Sequence, residues 1–436
     1  MLKKLFLFNL LIFLANLSLN AQTAVVSKES PKAETTEIRR QAFEKVWTTV
    51  NEKHYDPTFG GVDWQAVRLA YEPKALAAKS DAEFHGVLRQ MLGELKLSHF
   101  AIYPPEAELK TTDVVRGTIG IELKMIDNQA VITEVQSNSP TAQAGLKTGF
   151  VIEKIDGKTT KEILAPLEAS FEKRILPEAQ KRIYRDRILL NALGGNVETK
   201  SKIEVLNGKN QRQTFDVARI ERKNEMSPAM GNFPPQEVIF EAKRLADNIG
   251  YIRFNMWLIP QMPKLREAIR SMKETDGIIF DLRGNPGGVG GMAPGIAGLL
   301  VKEQTSLGSM KNRSSETKFI VYPQADVYDG KIVVVTDYGT GSTSEIFAAG
   351  MQEIGRARVI GETSAGAVLP SVFEKLPTGA MFQYAIADYK SPKSILIENR
   401  GVIPDTEVKL TRQTLLDGRD LQIEEAIKQI KNKQEK

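Results

Sequence analysis

The sequence predicts a mixed α/β protein that begins with a helical region, continues into a β-rich unit and ends in an α/β domain. Apolar residues recur at helical spacing up to Leu95, and alternation of apolar and polar residues replaces this pattern after Gly117. From Ile249 onward, buried strands alternate with helices, which favours a sheet of largely parallel strands. A chain of 436 residues, of which 42% are hydrophobic, is long enough for two or three domains.

The first 22 residues have the layout of a cleavable secretory signal. Lys3 and Lys4 precede a short apolar run, and the segment closes near the small residue Ala21. A membrane anchor is the alternative, although asparagines interrupt the run and it is short for a span. We therefore predict export to the periplasm or out of the cell, a disordered leader over residues 23–36, and no membrane span after the signal.

The composition excludes several classes of protein. The formal charge of +5 comes from basic residues that are scattered among acidic ones, so no nucleic-acid partner is expected. The chain has no cysteine, which excludes disulfides, thiolate metal sites, a cysteine nucleophile and a lipid-modified cysteine anchor.

The helical region is predicted over residues 37–110 and ends at the sequence Leu97-Ser98-His99-Phe100. His99 is one of three histidines in the chain. His54 adjoins a turn and His85 lies in a charged helical stretch, so we expect both to be solvated. A histidine that follows a helix is usually structural, and His99 needs partners elsewhere in the chain before it indicates chemistry.

The β-rich unit is predicted over residues 111–220. Two alternating strands come first, and a hairpin around Asn207-Gly208 closes the unit. Its segment SPTAQAGLKTGFVIEKIDGK resembles a PDZ domain, with Phe150 where most such domains have aspartate and an extra helical insertion over about residues 163–193. The resemblance implies that Ile119, Gly120 and Ile121 receive the carboxylate of a peptide, beside a groove that adds the peptide as a strand. A PDZ-shaped spacer that binds nothing is the alternative.

The C-terminal domain, predicted over residues 221–436, contains a stretch that suits a nucleophile. The buried strand Ile332–Val335 runs into two glycines and then into a helix that starts near Ser342. Such a turn holds a serine at the carboxyl edge of a sheet, with the N–H of the next residue free to bind an oxyanion. Taken alone, the stretch also fits an ordinary connection capped by Ser342 or Ser344.

A second glycine-rich turn ends a neighbouring strand with the sequence DLRGNPGG. Its glycines leave backbone donors exposed and allow a substrate carbonyl to approach closely. The sequence GNPGGVGG lacks the lysine followed by serine or threonine that a phosphate-binding loop requires, so a nucleotide site is not expected.

Together these features resemble the tail-specific, or C-terminal processing, serine peptidases and the tricorn core protease. The resemblance covers nearly the whole mature chain and rests on DLRGNPGG, GSTSEIFAAGMQ and VIGETSAG. It implies a helical region, a PDZ-like domain and a ClpP/crotonase-like α/β peptidase domain. It also implies that Ser342 is the nucleophile and that the oxyanion donors are Thr343 and either Gly287 or Gly288, with Pro286 where the family usually has glycine.

One departure from the processing peptidases changes the implied base. Ala367 occupies the position of their catalytic lysine and Ser371 that of an accompanying glutamine, so a Ser-Lys dyad is absent. The tricorn-like branch uses a tetrad, and LKLSHF and IENRGVIPD match its remaining members at Ser98, His99 and Glu398. The resemblance implies that His99 is the general base and that Ser98 relays the hydrogen bond of Glu398.

The predicted function is that of an exported serine endopeptidase that cleaves peptides or unfolded C-terminal tails through an acyl-enzyme, without a metal or cofactor. Two alternatives remain at this point. A non-catalytic relative of the same fold would bind a hydrophobic ligand or a peptide, and a PDZ scaffold would only dock partners. The natural substrate and the oligomeric state stay open.

Overall fold

The computed structural model describes residues 31–105, 116–171 and 176–432. The predicted signal segment lies outside these residues, and within them no helix combines the length and the apolar character needed to cross a membrane. Helix α1 spans Pro31–Lys53, so the prediction of a disordered leader is wrong for residues 31–36. Proline is favoured at the first position of a helix, where its missing N–H costs no hydrogen bond, and the alanine and glutamate that follow it are good helix formers.

The helical region packs three helices together and ends in a short strand. Asp63 and Ser80 cap the second and third helices by accepting hydrogen bonds from backbone N–H groups in their first turns. The core of this region is continuous with Phe382 and Tyr384 of the C-terminal domain, which fixes the two units against each other. After α1, the elements are α2 (Trp64–Leu76), α3 (Asp81–Gly93) and β1 (Ala101–Tyr103).

The expectation that His54 and His85 are solvated is wrong. Each side chain is only 1% exposed. The His54 ring stacks on Tyr55 with centroids 4.7 Å apart, and His85 Nε2 lies 3.0 Å from the hydroxyl of Thr378. A neutral imidazole can pack as a flat ring while one of its nitrogens finds a local partner, which the charged sequence around His85 does not reveal.

The central unit is an antiparallel sheet in the order β3-β4-β5-β8-β9, with β6 paired to β5. Strand β3 lies at the edge of this sheet, and the long helix α6 packs beside it. The predicted helical insertion forms the two helices α5 and α6. The elements are β2 (Arg116–Gly117), β3 (Ile121–Ile126), β4 (Gln129–Val135), α4 (Pro140–Ala144), β5 (Val151–Ile155), β6 (Lys158–Thr159), α5 (Thr160–Phe171), α6 (Glu178–Leu193), β7 (Gly195–Asn196), β8 (Lys200–Leu206) and β9 (Arg212–Ala218).

The C-terminal domain is built on a six-stranded sheet in the order β12-β13-β14-β17-β18-β22, parallel except for the β12–β13 pair. The elements are β10 (Glu225–Met226), β11 (Glu237–Val238), β12 (Phe240–Leu245), β13 (Ile249–Phe254), α7 (Gln261–Ser271), β14 (Gly277–Asp281), α8 (Met292–Ala297), β15 (Thr305–Lys311), β16 (Glu316–Val321), β17 (Lys331–Thr336), α9 (Thr343–Glu353), β18 (Ala357–Gly361), β19 (Ser371–Lys375), β20 (Met381–Ala385), β21 (Asp388–Lys390), β22 (Thr406–Glu407), α10 (Arg412–Leu416) and α11 (Leu421–Lys431).

The sheet register brings the two glycine-rich turns together. Strands β14 and β17 are parallel neighbours, with Asp281 opposite Val335. Their carboxyl ends therefore meet at one edge, where DLRGNPGG and the turn to Ser342 both begin. On a second sheet, β1 pairs with β20 through Ile102 and Phe382, which brings Ser98 and His99 to the C-terminal domain.

Candidate active site

Ser342 lies at a strained turn between β17 and α9. Its backbone has φ 52° and ψ −120°, a region that side-chain-bearing residues seldom occupy and that typically costs about 1–3 kcal/mol. Its N–H is held by the carbonyl of Ala367 at 2.8 Å and by Glu345 Oε2 at 3.1 Å. Gly287 faces the serine so closely that a Cβ placed there would lie 2.5 Å from Ser342 Cβ. The turn thus holds the hydroxyl where a substrate carbonyl can approach over glycine.

Ser98, His99 and Glu398 form a continuous hydrogen-bonded line. The Ser98 hydroxyl donates to Glu398 Oε2 at 2.9 Å and lies 2.7 Å from His99 Nδ1. Because the Ser98 proton points to the carboxylate, its oxygen accepts the Nδ1–H of the imidazole. The other ring nitrogen, Nε2, is then the unprotonated one.

One peptide unit joins this line to Ser342. The carbonyl of Ala367 accepts the Ser342 N–H, and the next N–H, of Val368, donates to Glu398 Oε2 at 3.0 Å. The structure therefore brings all four predicted tetrad residues into one neighbourhood. Within the part of the chain that the structure describes, no direct hydrogen bond joins the imidazole to Ser342 Oγ.

Burial controls the protonation of the pair. It lowers the pKa of His99 to about 4, so the imidazole is neutral near pH 7. Burial also raises the pKa of Glu398, although the hydrogen bonds from the Ser98 and Val368 N–H groups oppose this shift. A neutral imidazole beside a carboxylate is the arrangement that a general base requires.

Two backbone N–H groups beside Ser342 are free to bind an oxyanion. The Gly287 N–H donates to Asn285 Oδ1 at 3.0 Å. By contrast, the N–H groups of Gly288 and Thr343 find no acceptor within the described ranges 31–105, 116–171 and 176–432. The Thr343 hydroxyl donates to the Gly288 carbonyl at 2.9 Å and ties the two segments together. Of the two glycines that the sequence leaves open, this geometry favours Gly288.

Glu345 has a part in the site that the sequence analysis did not find. Its fully buried carboxylate accepts from Ser364 Oγ at 2.5 Å, Gly366 N at 2.8 Å, Ala367 N at 3.0 Å and Ser342 N at 3.1 Å. Burial raises its pKa to about 7. The carboxylate joins the nucleophile turn to the loop over residues 364–367, whose approach to α9 no local pattern predicts.

Ser344, the other serine of the turn, is enclosed. Its side chain is fully buried, and its Oγ accepts the indole N–H of Trp257 at 2.8 Å. A hydroxyl in this position packs the helix start against the sheet and does not face solvent.

Asp337 links the two glycine-rich turns to the central unit. Its Oδ1 accepts from the N–H groups of Gly284 at 2.8 Å and Gly339 at 2.9 Å. Its Oδ2 pairs with the ammonium of Lys124 on β3, and burial lowers the pKa of Lys124 to about 8. One buried ion pair therefore connects the loops around Ser342 to the PDZ-like sheet.

The predicted carboxylate loop borders a pocket of about 250 Å³ between β3 and α6. Ile119 and Ile121 line one side, and Leu190 and Leu193 line the other. The Gly120 N–H already donates to the Thr118 hydroxyl at 3.1 Å. Of the three residues that the sequence proposes, the structure thus places the two isoleucines at the pocket and engages the N–H of the glycine internally.

Comparison with known proteins identifies the class of this site. Residues 248–408 match peptidase family S41, residues 35–93 match the tricorn protease C1 domain, and residues 117–192 match a PDZ domain. Together with the fold, these matches define a serine-type peptidase. Residues 248–408 thus match a family of peptidases that act on peptide or protein substrates, and the predicted resemblance to this family and the predicted mixed α/β fold are confirmed.

Relatives of the same kind match over most of the chain. A carboxyl-terminal-processing protease of Synechocystis sp. is 27% identical over 372 residues, which cover 83% of this chain and 79% of the relative. Tricorn protease homolog 2 of Streptomyces coelicolor is 24% identical over 409 residues, which cover 89% of this chain and 32% of the relative.

Solved structures share the fold. The photosystem II D1 C-terminal processing protease superposes with a TM-score of 0.56 at 20% identity, covering 88% of this chain and 98% of that protein. The tricorn protease superposes with a TM-score of 0.52 at 19% identity, covering 91% of this chain and 37% of that protein.

Proposed function

We propose that this protein is an exported endopeptidase that cleaves peptides or unfolded C-terminal tails with a Ser342-His99-Ser98-Glu398 tetrad. The observation that carries the proposal is the hydrogen-bonded line from Glu398 through Ser98 to His99, joined to Ser342 by the 367–368 peptide. With alanine at position 367, the loop beside the serine offers no lysine, and the imidazole is the base that this arrangement supplies.

In the proposed mechanism, Ser342 Oγ attacks the scissile carbonyl while its proton passes to His99 Nε2. The negative oxygen of the tetrahedral intermediate is bound by the N–H groups of Gly288 and Thr343. The imidazolium is stabilised through Ser98 by the charge of Glu398. His99 then gives its proton to the leaving amine, and the same groups activate water to hydrolyse the acyl-enzyme.

In this proposal, His99 comes within hydrogen-bond distance of Ser342 Oγ only when substrate binds. Catalytic hydrogen bonds in unliganded enzymes are often long and tighten only when substrate is bound. Both groups stand on segments anchored to the 367–368 peptide, so the shift that unites them takes place within one hydrogen-bonded network.

The PDZ domain is assigned the recruitment of substrate. The edge of β3 and the adjacent pocket, whose lining combines Ile119, Ile121, Leu190 and Leu193 with the charged Arg222 and Glu237, suit a peptide that adds as a strand and places its last residue in the pocket. Export rests on the basic residues and apolar run of the first 22 residues.

Covalent labelling with a fluorophosphonate, combined with cleavage of unfolded casein, tests the proposal. Labelling is expected in the unmodified protein and in Ser344→Ala, and its loss is expected in Ser342→Ala and in His99→Ala. Full casein cleavage by His99→Ala would show that His99 is not the general base. Absence of labelling in the unmodified protein, with retained peptide binding, would favour a non-catalytic peptide-binding role.

A further inference from the structure

The peptide-binding edge of β3 offers backbone groups at every second residue. The strand pairs with β4 on its other side, with Glu122 opposite Glu134 and Lys124 opposite Val131. Alternation turns the backbone groups of Ile121, Leu123 and Met125 to the open edge. The pocket lined by Ile119, Ile121, Leu190 and Leu193 together with Arg222 and Glu237 lies at the Ile121 end of this row.

The last of these three positions is already occupied. The Met125 N–H donates to Asp186 Oδ1 at 2.8 Å, and the Met125 carbonyl accepts from Arg182 Nη2 at 3.4 Å. Both side chains come from α6, the helix on the other side of the groove. They take the place of the backbone of an added strand.

The two closing side chains are held from the peptidase domain. Asp186 Oδ2 accepts the hydroxyl of Tyr338 at 2.5 Å, and Arg182 Nη1 pairs with Glu362 Oε2 at 2.7 Å. The Arg182 guanidinium also lies 3.6 Å from the centre of the Tyr338 ring, which is 2% exposed. Displacing Asp186 from Met125 would disturb a buried network with partners in two domains, and such networks are costly to leave half satisfied.

We infer that the groove reads only about the last four residues of a tail, because Asp186 and Arg182 close the strand edge at Met125. The last residue pairs at Ile121 and the third from the end at Leu123. The fifth from the end would need Met125 and is excluded. This inference rests on the proposed recruitment of C-terminal tails and adds a limit to what the groove recognises.

Calorimetric titration of the full chain carrying Ser342→Ala tests this limit without cleavage. Two peptides share their last four residues, end in valine with a free carboxylate, and contain about four or about eight residues. We expect the two dissociation constants to agree within about twofold. In Asp186→Ala the longer peptide is expected to bind about tenfold more tightly and the shorter one to be unchanged, because Met125 becomes available for strand pairing.

Matched variants separate closure from a general effect on the helix. Asp186→Asn keeps an oxygen for the Met125 N–H and should behave like the parent. Arg187→Ala removes an exposed charge from the adjacent position and should also leave both affinities unchanged. Tyr338→Phe removes one hydrogen bond from Asp186 and should give a smaller gain for the longer peptide, and it carries the test if Asp186→Ala does not fold.

Two results would overturn the inference. In one, the longer peptide binds the parent about tenfold more tightly than the shorter one and Asp186→Ala changes nothing. In the other, neither peptide binds, although the protein with Ser342 intact is labelled by fluorophosphonate and cleaves casein. The second result would leave the proposed peptidase activity standing, whereas loss of labelling with peptide binding retained would leave the length limit standing.

Discussion

Ser98 and Glu398 are 300 positions apart in the chain, yet the serine gives the carboxylate both of its donors, N–H to Oε1 at 2.7 Å and Oγ–H to Oε2 at 2.9 Å. The double contact fixes the serine rotamer that accepts from the imidazole of His99. Glu398 therefore orients the proposed base through a side chain that itself carries no charge.

Breaking this relay should lower the rate of the chemical step. We expect Ser98→Ala and Glu398→Gln each to lower kcat by about 10²-fold with little change in KM, because the orientation and charge that support the imidazolium are lost. The double variant should be no worse than either single one, since the residues act as a unit. Steady-state kinetics on a fluorogenic peptide measures this. Asn399→Gly is the control, because glycine tolerates the left-handed backbone at this position (φ 60°) and the change removes the side-chain contact to the Lys96 carbonyl. Multiplicative effects of the two variants would contradict the relay.

The proposed base also predicts the pH dependence of the rate. His99 must be neutral to accept a proton, and burial lowers its pKa to about 4. The acid limb of kcat/KM is therefore expected between about pH 4 and 5, below the value of about 6.5 for a solvated histidine. A limb above about pH 7.5, as a lysine base would give, would rule out His99.

A side chain at position 287 should displace the nucleophile. In Gly287→Ala the new Cβ would meet Ser342 Cβ at 2.5 Å and the Thr343 nitrogen at 2.8 Å. We expect a loss of kcat/KM of about 10²-fold or more, loss of fluorophosphonate labelling, and a destabilisation of about 1–3 kcal/mol. Gly291→Ala is the matched control, because nothing lies within 4 Å of its added Cβ. Normal labelling of Gly287→Ala would show that the serine turn lies elsewhere.

The sequence predicted the fold further than it predicted the supporting contacts. Strand periodicity and glycine punctuation indicated the turn at Ser342, and the motif match gave Ser98, His99 and Glu398, which the structure brings together across the chain. The sequence did not predict the role of Glu345, because the residues at 364–367 contact it only through the packing of a loop. The sequence also did not predict that Asp186 closes the edge of β3, because a charged residue in a predicted helix is normally expected to face solvent.

Glu345 should influence both rate and stability. Because its carboxylate accepts three backbone N–H groups and one hydroxyl, Glu345→Gln places amide hydrogens against donors and is expected to lower kcat by about tenfold or more. Its pKa is raised to about 7 in the folded protein, so its contribution to the free energy of unfolding is full below about pH 4.5 and is lost as pH rises through 7.

Urea unfolding at about pH 5 and pH 8 checks the second effect. From pH 5 to pH 8, the free energy of unfolding of the unmodified protein should fall by on the order of 3 kcal/mol more than that of the Glu345→Gln variant. Glu353→Gln, on the same helix but bound to Ser391 and Lys393, is the control. Equal pH dependence in the unmodified protein and Glu345→Gln would contradict the raised pKa.

The Lys124–Asp337 pair should hold the PDZ domain to the loops around Ser342. Lys124→Met keeps much of the side-chain volume but leaves a carboxylate that is 1% exposed without its cation, and breaking such a pair typically costs about 3–5 kcal/mol. The exposed pair between Arg253 and Glu134 also spans the two domains, at 2.9 Å, and Arg253→Ala should cost less than about 1 kcal/mol. Chemical unfolding and limited proteolysis of both variants compare them directly. Equal stability of the two variants would mean that the buried pair does not fasten the PDZ domain to the catalytic loops.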